Sequence, residues 1–490
     1  MTTGDVEITI IDGGGAVVVV PAASVQLVIA PATSGTDNAI VATRNLNTLK
    51  SIFDSGPLPE AAALAILAGG TAICIKAPTV SGQDTSVVTT TGAGTVTVSG
   101  TPNDEYYVKG KITAAGTVGT KGIQFQLSLD NGRHYGRAVA LGTASTFDIA
   151  GTGLQLQFAG TFAVGDTFRF GTTAPLTDTG GVSDALDAFK ASQYAVAGIG
   201  SAHVVGAFSG ADLQTIQGYV AALKTRFIYT RVICELRDAS PATVWGGSGE
   251  IESDWIDSVT DDVSELNADR ICPCAGNYNM PTAFPTATAG TPAYRRNLAW
   301  ALAARQVAIP PQRHAGRVRD GSLSNIVVDP SNDGSDGFIY HDESLNPGFD
   351  IARVTSARLR IGLPGVYITN PLLASTPGSV FTLLPLGNVM DVACSLVHQV
   401  GQKEINSDIR LNDNGTIHEN EAQTIERTML GVINTNMTAQ NMISNAAVVI
   451  DRTINVRATS KVKTTVTIFS RGYVLEMDIE IGYADPFAAS

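Results

Sequence analysis

"FDSGPLPEAAALAILAGGTAICIKA" (Phe53–Ala77) decides the fold. It reads as a turn, a helix of small residues and a buried strand. Such a unit often opens a nucleotide-binding or catalytic domain. Here no phosphate loop, nucleophile or metal ligand follows it.

Outward from this stretch, strand–helix alternation resumes far downstream. "SQYAVAGIG" (Ser192–Gly200) reads as a buried strand, and "SGADLQTIQGYVAALKTR" as an amphipathic helix capped by Ser209. The strand "FIYTRVICEL", a helix around "EIESDWIDSVTDDVSELNA", the strand "RICPCAG" and the helix "AYRRNLAWALAAR" follow. This spacing predicts a largely parallel, three-layer α/β sheet over 21–82 and 176–309. Between them, residues 83–175 turn rich in Thr, Gly and Val, with short alternating runs and the hairpin signal Asp130-Asn131-Gly132. They read as an inserted β-sandwich or small barrel on the outside of the molecule. Residues 310–470 read as α+β, with a strand near "FDIARVTSARLRIG", a helix over "HENEAQTIERTMLGVINTNM" and one or two strands in "AAVVIDRTINVRATSKVKTTVTIFS".

Both ends carry lone strands. Val6, Ile8 and Ile10 alternate with polar residues and precede Gly13, Gly14 and Gly15; Leu475, Met477, Ile479 and Ile481 alternate with acids and follow Gly472. A lone strand needs a sheet to join. Residues 1–20 and 471–490 therefore read either as terminal strands of their own domains or as arms that extend a neighbour's sheet, with the glycines as hinges.

Composition narrows the function. The 490-residue chain has a net charge of −13, which argues against sequence-independent binding of duplex DNA. Only 16% of residues are charged, as expected where surface is hidden in an assembly. No apolar run reaches membrane-span length, and "MTTGDVEITI" lacks a basic segment and an apolar segment, so neither membrane insertion nor a secretory leader is expected. Cys74 and Cys234 lie in apolar runs, and Cys272 and Cys274 form a Cys-Pro-Cys pair that lacks the two-residue spacer of zinc and thioredoxin motifs. "GIGSAHVVG" places His203 where a dinucleotide fingerprint needs its third glycine. "DPSNDGSDG" (329–337) puts Gly334 at position six of a calcium loop, but Tyr340 where the bidentate Glu belongs. None of the six histidines is within five residues of another, and His341 in "YHDES" and His418 read as surface or satisfied side chains. No catalytic residue, cofactor or metal is expected. Arg305, Arg313, Arg317 and Arg319 form a basic run that reads either as a solvated loop or as a patch for an acidic partner.

The order of these parts resembles the tail sheath proteins of contractile bacteriophage tails and related injection machines. Asn45, Leu49, Phe53, Gly56, Pro57, Leu58 and Lys76 match the N-terminal sheath pattern. "GLPGVYITNPLLA" (Gly362–Ala374) and "RGYVLEMDIEIGYADPF" look like a divergent branch, whereas the "W-G-x-R-T" stretch of many sheath proteins is missing. The resemblance implies a core of subtilisin-like topology without protease chemistry. It also implies stacked, hexameric rings around a tail tube protein, a tube-facing domain at 310–470, and contraction that drives the tube through the host envelope. Baseplate and tail terminator proteins would be further partners, with assembly in the bacterial cytoplasm and residence in the virion. Two other readings stand beside it: a non-contractile virion or surface structural protein, and a hydrolase on the α/β domain using His203, Asp254 or Asp257.

Overall fold

The computed structural model describes residues 24–285, 290–324, 326–327, 336–475 and 477–478. The chain opens with β1 (Val25–Ala30), β2 (Ile40–Thr43), α1 (Leu46–Phe53), α2 (Pro57–Leu67) and β3 (Thr71–Lys76). The side chain of Asn45 caps α1 by accepting from the Asn47 N–H at 2.8 Å. Gly56, at φ 110°, turns the chain, and Pro57 starts α2 where its missing N–H has no intrahelical partner to lose. Two glycines end α2 for different reasons. Gly69 holds φ +92°; a Cβ on Gly70 would sit 2.1 Å from Val307 Cγ1 and 2.7 Å from the Ser24 carbonyl oxygen. The small residues of α2 are thus a fitting surface, buried together with the equally alanine-rich α7 (Leu298–Ala308).

Next come α3 (Thr179–Lys190), α4 (Gln193–Ala197), β4 (Ser201–Ala207), α5 (Gly210–Leu223), β5 (Val232–Glu235), α6 (Glu252–Val263) and β6 (Ile271–Cys274). The six strands order as β6-β5-β4-β1-β3-β2, all parallel except the antiparallel edge strand β2. Side chains alternate across this sheet. Leu27, Ile29, Val204 and Cys234 pack under α3, α5 and α6, while Val28, Ala30, Cys74 and Ile233 pack under α1, α2 and α7. The three-layer expectation therefore holds. Ser209 forms the expected cap: its Oγ accepts from the Asp212 N–H at 3.2 Å, and the Asp212 carboxylate accepts the Ser209 N–H at 3.1 Å.

Two expected elements are corrected. The run Ser192–Gly200 contains α4, and the strand begins only at Ser201, where Gln26↔Ser201 pairing with β1 starts. A short apolar run has no period that separates helix from strand. "AYRRNLAWALAAR" is split into strand and helix. β7 (Asn277–Pro281) pairs antiparallel with β8 (Ala293–Asn297), and α7 starts at Leu298 with Asn297 accepting from the Ala299 N–H at 2.9 Å.

Between β3 and α3 every regular element is a strand. A five-stranded and a three-stranded antiparallel sheet close over one core containing Val108, Phe125, Leu156, Phe158, Phe168 and Phe170. Asn131 (φ 62°) and Gly132 (φ 86°) make the tight turn that their sequence signals. After α7 come β9 (Ala357–Arg360), β10 (Leu363–Ile368), α8 (Leu384–Lys403), α9 (Glu419–Ile433), β11 (Asn445–Ile450) and β12 (Thr464–Phe469). The last four form a separate small core around Leu396, Ile425, Met429, Val448 and Ile450.

Candidate assembly surface

The C-terminal ribbon is built from period-two sequence. Ala446, Val448 and Ile450 of β11 turn inward onto the α8–α9 layer, while Val449 is exposed. On β12, Thr465, Thr467 and Phe469 are exposed and the alternate residues are half-buried. Among the described residues, β11 and β12 pair only with each other, so the ribbon keeps two free edges. A two-stranded ribbon gains its stability from what covers it. Here α9 covers one face, and Arg452 fastens that contact. Its guanidinium donates to Glu419 at 2.6 and 3.0 Å and to Glu426 at 2.7 and 3.1 Å. These bonds hold the Glu419 carboxyl down at about 2.

The chain leaving β12 continues this surface. Val474, Leu475 and Met477 are exposed and lie in no strand, and Tyr473 Oη donates to the Gln312 carbonyl at 2.7 Å. Gly472 is exposed with a non-left-handed backbone and open space where a Cβ would be. Val6, Ile8, Ile10, Gly13, Gly14, Gly15, Ile479 and Ile481 lie outside the described residues, as does most of the 329–337 loop.

The arginine run is partly neutralised from within. Arg317 reaches Asp320 at 3.4 Å, Arg313 reaches it at 3.7 Å, and Arg305 donates to the Gly321 carbonyl at 3.1 Å. Arg319 is exposed on the same turn.

The hydrolase residues are not brought together. Asp254 and Asp257 lie exposed on α6, whereas His203 is fully buried in β4, its Nε2 3.1 Å from Glu235. Cys74, Cys234, Cys272 and Cys274 are buried free thiols, and burial pushes the Cys74 thiol up to about 12. No three metal-ligating side chains cluster among the described residues, and no helix among them is long and apolar enough to cross a membrane.

Sequence reasoning missed the buried ion pairs that join the parts. Arg296 grips Asp104 of the β-insertion at 2.9 and 2.5 Å, and Arg295 grips Asp238 after β5 at 2.7 and 3.1 Å. Adjacent arginines reach two different partners because β8 sends successive side chains to opposite faces. At the other end of the sheet, Arg231 and Arg270 converge on Asp391 of α8, Arg270 at 3.4 Å. His341 sits between Glu252 (2.8 Å) and Glu343 (2.9 Å).

Together these features define a multidomain α/β protein with a mixed parallel sheet, several antiparallel sheets and a C-terminal ribbon whose edges no other described strand pairs. The chain belongs to the DUF2586 family: its N-terminal domain model matches residues 3–371 and its C-terminal domain model matches residues 388–488. No curated protein matches the sequence. Among solved structures, the chain is similar to the contracted helical sheath of the anti-feeding prophage at 10% identity and TM-score 0.48, covering 99% of each chain. It is also similar to the sheath tail protein of Desulfitobacterium hafniense at 10% identity and TM-score 0.46, covering 95% of this chain and 100% of that one. A third is the sheath tail protein of Listeria innocua, at 11% identity and TM-score 0.41, covering 92% and 95%.

Proposed function

We propose that this protein is the structural subunit of a contractile tail sheath. The observation that carries the reading is the β11–β12 ribbon, with two edges that no other described strand pairs and an exposed apolar segment running on from it. Free edges are templates for strand addition. The alternating sequences around Val6–Ile10 and Leu475–Ile481 are suited to fill them in neighbouring copies. The sequence motifs around Asn45–Lys76 support the same reading. In this reading the core, of subtilisin-like topology, is a rigid block in hexameric rings stacked around a tube protein, with the insertion outward and residues 310–470 facing the tube. Gly13–Gly15 and Gly472 serve as hinges, and the patch around Arg319 meets an acidic partner. Baseplate and terminator proteins close the ends of the sleeve. Contraction draws on new contacts between bodies, and the role is structural rather than catalytic, in a phage tail or injection particle.

Deletion of residues 1–12 or 472–490 tests this. Electron microscopy of the full chain is expected to show ring stacks or hollow sleeves of one width. Either truncation should leave folded monomers that do not polymerise. Normal sleeves from either truncation would sink the arm model.

A further inference from the structure

The turn of the β9–β10 hairpin stands in solvent, with Ile361 and Leu363 exposed. One face of the hairpin is seated: Ala357, Val366 and Ile368 pack into the core shared with α7. The other face carries two arginines. Arg358 stands opposite Tyr367 in the register, and the Arg360 guanidinium lies 5.9 Å from the same ring, so both share that face. Both are half-buried. Burial and the Arg358 charge hold Arg360 below its ordinary pKa. Among the described residues, neither guanidinium has a carboxylate partner or a hydrogen bond.

The arginine run flanks the same hairpin. The Leu323 N–H donates to the Val366 carbonyl at 2.9 Å. A Cβ on Gly316 would meet the Ile368 carbonyl oxygen at 2.4 Å, and one on Gly365 would meet Ser322 Oγ at 2.4 Å. The stretch 316–323, with exposed Arg319, is therefore packed along β10. Asp320 answers Arg313 and Arg317 but not Arg319, Arg358 or Arg360. In a chain of net charge −13, this is a local excess of positive charge, and it calls for an acidic partner.

We propose that the Arg358–Arg360 face seats the acidic C-terminal segment, residues 476–485, of a second copy of this chain. Residues 472–490 carry four carboxylates, at Glu476, Asp478, Glu480 and Asp485, and no lysine or arginine. The first three alternate with Leu475, Met477, Ile479 and Ile481, so an extended strand of this sequence lines them along one face about 6.6 Å apart. Arg358 and Arg360 are likewise two residues apart on a strand, and a guanidinium takes a carboxylate through two parallel bonds. The apolar face of the same strand stays available to a ribbon edge, so one segment serves two contacts. Within its own chain the segment does not reach the arginines: Tyr473 bonds the Gln312 carbonyl, and Asp478 is exposed with no ion pair among the described residues. The contact builds on the association of copies in the proposed sleeve.

Fluorescence anisotropy tests it, with a labelled peptide of residues 471–490 added to the full-length protein, kept dilute enough to sediment as a monomer. Binding is expected, and it should weaken as salt rises. Joint Arg358→Glu and Arg360→Glu substitution should weaken it about tenfold, with an unchanged circular dichroism spectrum. A peptide carrying Glu476→Lys, Asp478→Lys and Glu480→Lys should bind that variant better than it binds the wild-type chain. No peptide binding, equal binding by the double variant, or no gain from the lysine peptide overturns the proposal. So does an arginine-dependent preference for a single-stranded oligonucleotide over the peptide, which would assign the face to nucleic acid. Electron microscopy reads the sheath proposal separately: sleeves with arginine-independent peptide binding keep the sheath and sink this contact, whereas charge-swapped binding without sleeves does the reverse.

Discussion

His341 shows how a single side chain ties a loop to the core. Its ring is 2% exposed and packs against Trp255 and Phe349. Burial opposes the imidazolium, but hydrogen bonds to Glu252 and Glu343 outweigh it and hold its pKa above the ordinary 6.5. Burial likewise opposes the Glu343 carboxylate. His341 and the N–H groups of Gly348 and Asp350 overcome this and hold its pKa below 4.5. The signs are opposite in pH. The raised histidine contributes fully below 6.5 and loses its contribution as pH rises through its folded value. The lowered carboxylate contributes fully above 4.5 and loses it as pH falls through its folded value. Both contributions are complete between pH 4.5 and 6.5. Denaturant melts at pH 5.5 and 9 are therefore expected to show a stability loss on the alkaline side that His341→Gln flattens. At pH 5.5, His341→Ala should cost roughly 1–3 kcal/mol, the penalty for orphaned buried partners. An alkaline limb unchanged in His341→Gln would remove the histidine from this account. The sequence offered only "YHDES", which has the composition of a solvated loop; Glu343 lies within it and Phe349 close by, but Glu252 and Trp255, which complete the enclosure, come from α6, with Glu252 89 residues away.

At the scale of elements, legibility followed local signals. α2, α5 and α9 were readable because turn residues, a cap or an acidic first turn marked their starts, and β3 because its apolar run is bounded. The failures lie where a distant contact chose the residues. "LPLGNVMDVACSLVHQVGQK" forms the long helix α8 although Gly387 interrupts it, and no sequence feature announced it. The structure explains that glycine: a Cβ there would lie 2.0 Å from Arg231 Nε. Arg231 needs the room to reach Asp391, where Arg270 also arrives, so one buried carboxylate fastens α8 to the strands β5 and β6. Removing one member of such a group strands the others without compensation, at a cost of about 3–5 kcal/mol. Asp391→Ala is expected to lose that much in denaturant melts, and Gly387→Ala about 1–3 kcal/mol through overpacking. A loss under about 0.5 kcal/mol for Asp391→Ala would mean that the helix is held by its apolar face alone. The buried pairs Arg296–Asp104 and Arg295–Asp238 were equally illegible, since the partners lie far along the chain, in the insertion and after β5.

At the scale of the whole molecule, the β-insertion has its own core, which would let it unfold as a separate unit. The buried contacts argue that it does not. Arg296 crosses from the α/β body to Asp104, both almost wholly buried; Asp130 accepts the Ala293 N–H at 3.0 Å; Tyr294 of β8 is part of the insertion's own core. Arg133 reaches Asp336 at 2.8 Å as a further tie. If the two bodies separated, Arg296 and Asp104 would each lose their buried ion-pair partner and Tyr294 would lose its packing. The free energy of opening the joint is thus added to that of melting either body, which makes their unfolding cooperative. Calorimetry is expected to show one transition spanning the insertion and the α/β body. Arg296→Met keeps much of the side-chain volume but leaves Asp104 buried and unpaired. It should lower the melting temperature and separate the insertion as a distinct earlier transition. Two well-resolved transitions in the wild-type protein would show that the ion pair joins independent units. If the chain works in the proposed sleeve of moving rigid bodies, that distinction decides whether the insertion travels with the core or swings on its own.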